Sequence, residues 1–110
     1  MTIVDRLRND ACTTEEAIVC LESSNPIVLY AAMTYLVRNH ITDDSAKKAL
    51  LNIRGRLSDE DKILGFYRIG HAAMAALLKL GVPEEQVFQP GLDPWDQEIT
   101  IKFAQDGWQL

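Results

Sequence analysis

The sequence predicts an all-α fold of antiparallel helix pairs, and three observations carry that expectation. Apolar residues recur at the three- and four-residue spacing of a helix face. Capping and stop signals bracket those segments. The chain also matches itself at an offset of 41 residues. With 110 residues, 47% of them apolar and 25% charged, it has room for one core. Residues 1–110 are therefore expected to form a single helical domain, with residues 83–110 packed on it as an acidic, aromatic C-terminal segment.

Thr13-Thr14-Glu15-Glu16 opens the first expected helix, 14–23, with Thr13 as N-cap and Glu16 reaching back three residues. Asn25-Pro26 opens the second, 26–39, because proline at the first helical position gives up an N–H that has no partner there anyway. Ile27 to Val37 is almost wholly apolar, which predicts burial on most sides. Asp43 starts a third helix, 43–54, with Ala46, Ala49, Leu50 and Ile53 inward and Gly55 as a left-handed stop. Ser58 and Asp61 start a long fourth helix, 59–80, closed by Gly81 with an apolar contact between Leu77 and Val82. Gly65 and Gly70 lie inside it and call for a bend or a close backbone approach, since each costs about 1 kcal/mol relative to alanine. No sheet is expected in residues 13–82, and Ala31, Ala32, Met33, Leu36, Ala73, Met74 and Leu77 are the expected core.

Residues 98–103 alternate in a way that also suits a half-buried strand. Asp93-Pro94 nevertheless reads as N-cap and first position, and Trp95, Ile99 and Phe103 fall at i, i+4 and i+8. A helix is the better reading, with Gly107 as its stop and Trp108 packing back on Phe103.

The match at offset 41 aligns Tyr30-Ala31-Ala32-Met33-Thr34-Tyr35-Leu36-Val37-Arg38 with His71-Ala72-Ala73-Met74-Ala75-Ala76-Leu77-Leu78-Lys79. A period near 40 in a helical chain is the spacing of HEAT-type repeats. With the helix start Leu21-Glu22-Ser23-Ser24-Asn25-Pro26-Ile27-Val28 and the second opening at Leu57-Ser58-Asp59-Glu60-Asp61, residues 13–82 resemble the HEAT-repeat family of helical solenoids. The resemblance implies a short α-solenoid that presents a surface to proteins. An ordinary helical bundle is the alternative.

Charge is segregated. Residues 1–82 carry ten acids and ten bases, whereas residues 83–110 carry six acids and one base, Lys102, so the net charge of −5 sits entirely in the tail. Both tryptophans are there too. An acidic field repels nucleic-acid phosphates and speeds encounter with a basic protein, so no direct nucleic-acid binding is expected. The longest apolar runs, Ile27–Met33 and Ala72–Leu78, have seven residues against about 20 for a membrane span, so no membrane association is expected. Cys12 and Cys20 are too few for a disulfide framework, and Met1-Thr2-Ile3-Val4-Asp5-Arg6 shows no secretory pattern, which together predict a cytoplasmic protein.

No spacing points to catalysis. Cys12, Cys20, His40 and His71 lack the short separations of metal ligands, and no cofactor is expected. Cys20 reads as a small core residue and His71 as exposed beside Arg68 and Lys79. Glu15-Glu16, Asp43-Asp44, Asp59-Glu60-Asp61 and Glu84-Glu85 stand at expected helix starts, where capping accounts for them.

The leading expectation is a non-catalytic protein-binding module. Its specific form is an immunity-type inhibitor that neutralises a basic, nuclease-like toxin. An adaptor or assembly subunit, with homodimerisation through the aromatic tail, is the alternative; a small enzyme without a local motif is third. Asp93, Trp95, Asp96, Glu98, Asp106 and Trp108 are the candidate partner-binding residues. Trp95, Phe103 and Trp108 could cap the helical stack, or the acids could meet the partner, and the favoured combination turns the aromatics inward and the acids outward from the same helix.

Overall fold

The computed structural model describes residues 2–64 and 67–106, and the backbone alone at Leu64. Its first helix, α1 (Ile3–Arg8), precedes the first helix that the sequence predicts. Thr2 and Asp5 cap it reciprocally, and Leu7 is its buried residue. The Arg38 guanidinium then closes its C-terminal end by donating to Leu7 O at 2.9 Å and to the Asp10 carboxylate at 2.6 Å. That contact ties α1 to the helix carrying Arg38.

Helices α2 (Thr14–Cys20) and α3 (Pro26–Arg38) start where their caps predict. Thr13 accepts from Glu16 N–H, and Asn25 Oδ1 accepts from Ile27 N–H at 2.9 Å. Helix α2 stops three residues short of the expected Ser23, in turns at Leu21 and Glu22. Helix α4 (Asp44–Ile53) buries Ala46 and Leu50 as expected. Its stop differs: Arg54 ends it in a right-handed conformation, and Gly55 does not have a positive φ.

The long helix expected over 59–80 is broken. Ser58 and Asp61 serve a single 3-10 turn, Asp59–Asp61, in which the Asp61 carboxylate accepts from the Ser58 hydroxyl and N–H and from Arg56. The chain then forms an antiparallel hairpin, β1 (Lys62–Leu64) with β2 (Tyr67–Arg68), which corrects the expectation of no sheet in residues 13–82. Helix α5 (Ile69–Lys79) begins only after it. Gly70 explains the second start. Its N–H donates to Arg56 O at 2.8 Å, and a Cβ there would lie 2.5 Å from Arg54 O and 2.9 Å from Arg56 O. The close approach expected at Gly70 therefore exists, made against the loop after α4; Gly65 lies outside the described residues.

Gly81 stops α5 at φ +89°, with Val82 N–H donating to Leu77 O and Gly81 N–H to Leu78 O. Those are the two bonds of a Schellman stop, with Leu77 and Val82 both buried. A short helix, α6 (Glu84–Val87), also absent from the sequence reading, leads to α7 (Pro94–Asp106). The tail is thus helical through residues 98–103; Gly107 and Trp108 lie outside the described residues.

The fold is all-α apart from the hairpin, a helical bundle with α5 as its axis. Every residue from Ile69 to Leu77 is buried, and α3, α4, α6 and α7 pack around that helix while α1 and α2 cover α3. All seven expected core residues are buried. Small residues let the backbones close in: Ala31 and Ala32 of α3 and Ala72, Ala73, Ala75 and Ala76 of α5 are shielded from solvent.

Candidate functional site

The candidate residues converge at the start of α7, where it crosses the start of α5. Asp93 Oδ1 accepts from Trp95 N–H at 2.8 Å, so the Asp93-Pro94 start forms as its residues predict. One residue on, Asp96 turns inward and its Oδ1 meets His71 Nε2 at 2.8 Å. The other ring nitrogen, Nδ1, accepts from Arg68 N–H at 3.0 Å. His71 completes at α5 the returning half of a capping box, with an imidazole in the role usually filled by Glu or Gln.

This geometry fixes the chemistry of the ring. A nitrogen that accepts from an amide carries no proton, so the neutral tautomer holds its proton on Nε2 and donates it to Asp96. The side chain is 0% exposed. Burial pushes its pKa below the ordinary 6.5, Asp96 offsets part of that shift, and the nearby Arg68 cation adds to it. Arg68 is itself occupied, with Nε donating to Ser58 O and Nη2 to Asp59. Both ring nitrogens are thus committed, and the residue expected to be exposed is a buried strut between α5 and α7.

Trp95 covers this strut from outside. Its ring lies edge-on to His71, with centroids 5.9 Å apart, yet the residue is 46% exposed. Glu98, Lys102 and Asp106 follow on the same stripe of α7 and are also exposed, while Ile99, Thr100, Phe103 and Ala104 form the opposite, buried side. The six candidates therefore part company. Asp93 and Asp96 position the helix, Trp95, Glu98 and Asp106 face solvent, and Trp108 lies outside the described residues. Phe103, not Trp95, is the aromatic that fills the core, edge-on to Tyr30 at 6.2 Å and Tyr67 at 4.7 Å.

The His71–Asp96 pair was missed in the sequence because its members stand 25 residues apart. The local signal was Arg68-Ile69-Gly70-His71, which has the spacing of a capping box but not its usual acceptor. Elsewhere, Cys12 and Cys20 are partly buried thiols, and burial raises the pKa of each. Cys20 packs against the core at its edge. Among the described residues no group of three His, Cys, Asp or Glu side chains could hold a metal ion, and no helix is long and apolar enough to cross a membrane. No family model, curated protein or solved structure matches the chain.

Proposed function

We propose that the protein is a non-catalytic protein-binding module whose α7 stripe receives a basic protein partner in the cytoplasm. The observation that carries this reading is Trp95: a large aromatic, half in water, held by an edge contact to a buried histidine and followed by exposed Glu98 and Asp106. Trp is the side chain most often found at interface hot spots, and a ring already fixed in place loses little freedom on binding. Surrounding acids steer a basic partner towards it. The commitment of both His71 nitrogens favours a binding role over acid–base catalysis.

In its specific form the module is an immunity-type inhibitor of a nuclease-like toxin, whose phosphate-binding surface would be basic. The match between α3 and α5 fits a reduced HEAT-type scaffold, since its Ala-Ala-Met segments lie in two helices packed on each other. The test is co-expression with a set of basic nuclease toxins. Protection by the wild type, lost in a folded Trp95→Ala, Glu98→Lys variant, supports the reading; equal protection by both removes the stripe from the function.

A second reading, an assembly subunit that pairs with its own copy, draws on a different surface. Val19 is 64% exposed beside a shallow depression that it lines with Ile3 and Cys20 and that Glu15 and Glu16 border. Light scattering separates the two: a stable dimer that Val19→Glu dissolves favours the assembly subunit.

A further inference from the structure

We propose that the cleft between the end of α1, the start of α3 and β1 binds a small organic carboxylate with an apolar body, of the medium-chain fatty acid class. The cleft holds about 410 Å³, within the range of small-molecule sites, and Arg8, Asn25, Pro26, Ile27, Tyr30, Lys62 and Ile63 line it. None of the described lining residues is acidic, in a chain whose net charge is −5.

Arg8 and Lys62 set the charge of the ligand. Arg6, Arg38, Arg56 and Arg68 each hold a carboxylate, but Arg8 and Lys62 form no ion pair among the described residues. Asp59, the acid whose pKa Lys62 helps to lower, is held by Arg68 at 2.8 Å. The Asn25 carboxamide oxygen is taken by Ile27 N–H. Arg8 and Lys62 are therefore the cations of the lining without an ion pair among the described residues, and a guanidinium or an ammonium each suits a carboxylate.

The walls set the rest of the ligand. Pro26, Ile27, Tyr30 and Ile63 offer an apolar surface, and Ile27 is 60% exposed, so a body laid against it would remove that area from water. Tyr30 is a fixed wall because its ring packs edge-on to the buried Phe103. An inorganic anion would use the cations and leave the walls wet; a neutral hydrocarbon would do the reverse.

The experiment is a calorimetric and NMR titration of the full chain with decanoate, alongside decan-1-ol and acetate. Saturable one-to-one binding of decanoate is expected, with amide shifts centred on Ile27 and Ile63, and with both controls at least about tenfold weaker. Arg8→Gln, Lys62→Gln should weaken decanoate binding by at least about tenfold. Ile27→Glu, an acid in the first turn of α3 where the helix dipole favours it, should abolish binding while leaving the fold intact. Absence of saturable binding, decan-1-ol binding as tightly as decanoate, shifts centred elsewhere, or full affinity in the Arg8, Lys62 variant would each overturn the proposal.

Discussion

At His71 the amide of Arg68 occupies one ring nitrogen and the Asp96 carboxylate the other, so a second proton would set an N–H against an N–H. The folded chain therefore favours the neutral ring, with a pKa below the ordinary 6.5. As pH falls through that value the unfolded chain takes up its proton first, and stability declines from there down to the folded pKa. Urea unfolding between neutral pH and pH 5 should show this loss, in a window above the titration of ordinary carboxylates. His71→Ala should remove the slope and cost about 1–3 kcal/mol for the orphaned Arg68 N–H alone. A flat profile in the wild type would show that the ring is not held as described. Glycine offers a second check at this scale. Gly70→Ala forces a Cβ to within 2.5 Å of Arg54 O and 2.9 Å of Arg56 O, neither of which can swing aside, and should cost about 1–3 kcal/mol. Gly55 has nothing within 4 Å of its added Cβ and no left-handed φ, so Gly55→Ala should be neutral or gain up to about 1 kcal/mol. Thermal melts of the pair test the contrast directly.

Helix α7 divides its work between two aromatic rings. Phe103 is fully buried between the edges of Tyr30 and Tyr67, so Phe103→Ala should destabilise by about 3–5 kcal/mol. Trp95 is half exposed, and Trp95→Ala should cost about 1–2 kcal/mol in chemical denaturation. The reverse order would mean that Trp95, rather than Phe103, caps the stack. The helices of this chain were legible where the caps are local: Thr13 with Glu16, Asn25 with Pro26, Asp93 with Pro94, and Gly81 with the bond from Val82 N–H to Leu77 O all act as their spacing predicts. Ser58 and Asp61 misled because the same bonds that open a helix also close one 3-10 turn, and nothing local distinguishes the two. What ends the turn is tertiary: the packing of β1 on α3 and the seat of Gly70 on the carbonyls of Arg54 and Arg56. The site was half legible for the same reason. Glu98 and Asp106 face solvent as acids turned outward from the helix should, whereas Trp95, placed by spacing with Ile99 and Phe103, is half exposed and Asp96 is drawn inward by a histidine on another helix.

Across the whole molecule the parts divide between scaffold and surface. Helix α5 is a buried axis, and α3, α4, α6 and α7 are set against it, with α7 also pinned by the His71–Asp96 bond. A rigidly held helix can present Trp95 and its acids with little motion to suppress on binding. Charge reversal is a clean probe only where the acid has no structural duty, which excludes Asp96 and Asp93 and leaves Glu98 and Asp106. The proposed function is tested most directly by the association rate with a basic nuclease toxin that co-expression identifies as neutralised, followed over a range of salt for the wild type and for Glu98→Lys, Asp106→Lys. The variant should show an unchanged melting curve, an association rate lowered about tenfold at low salt, and a shallower salt dependence. Equal rates and equal salt slopes in the two proteins would contradict the proposed function.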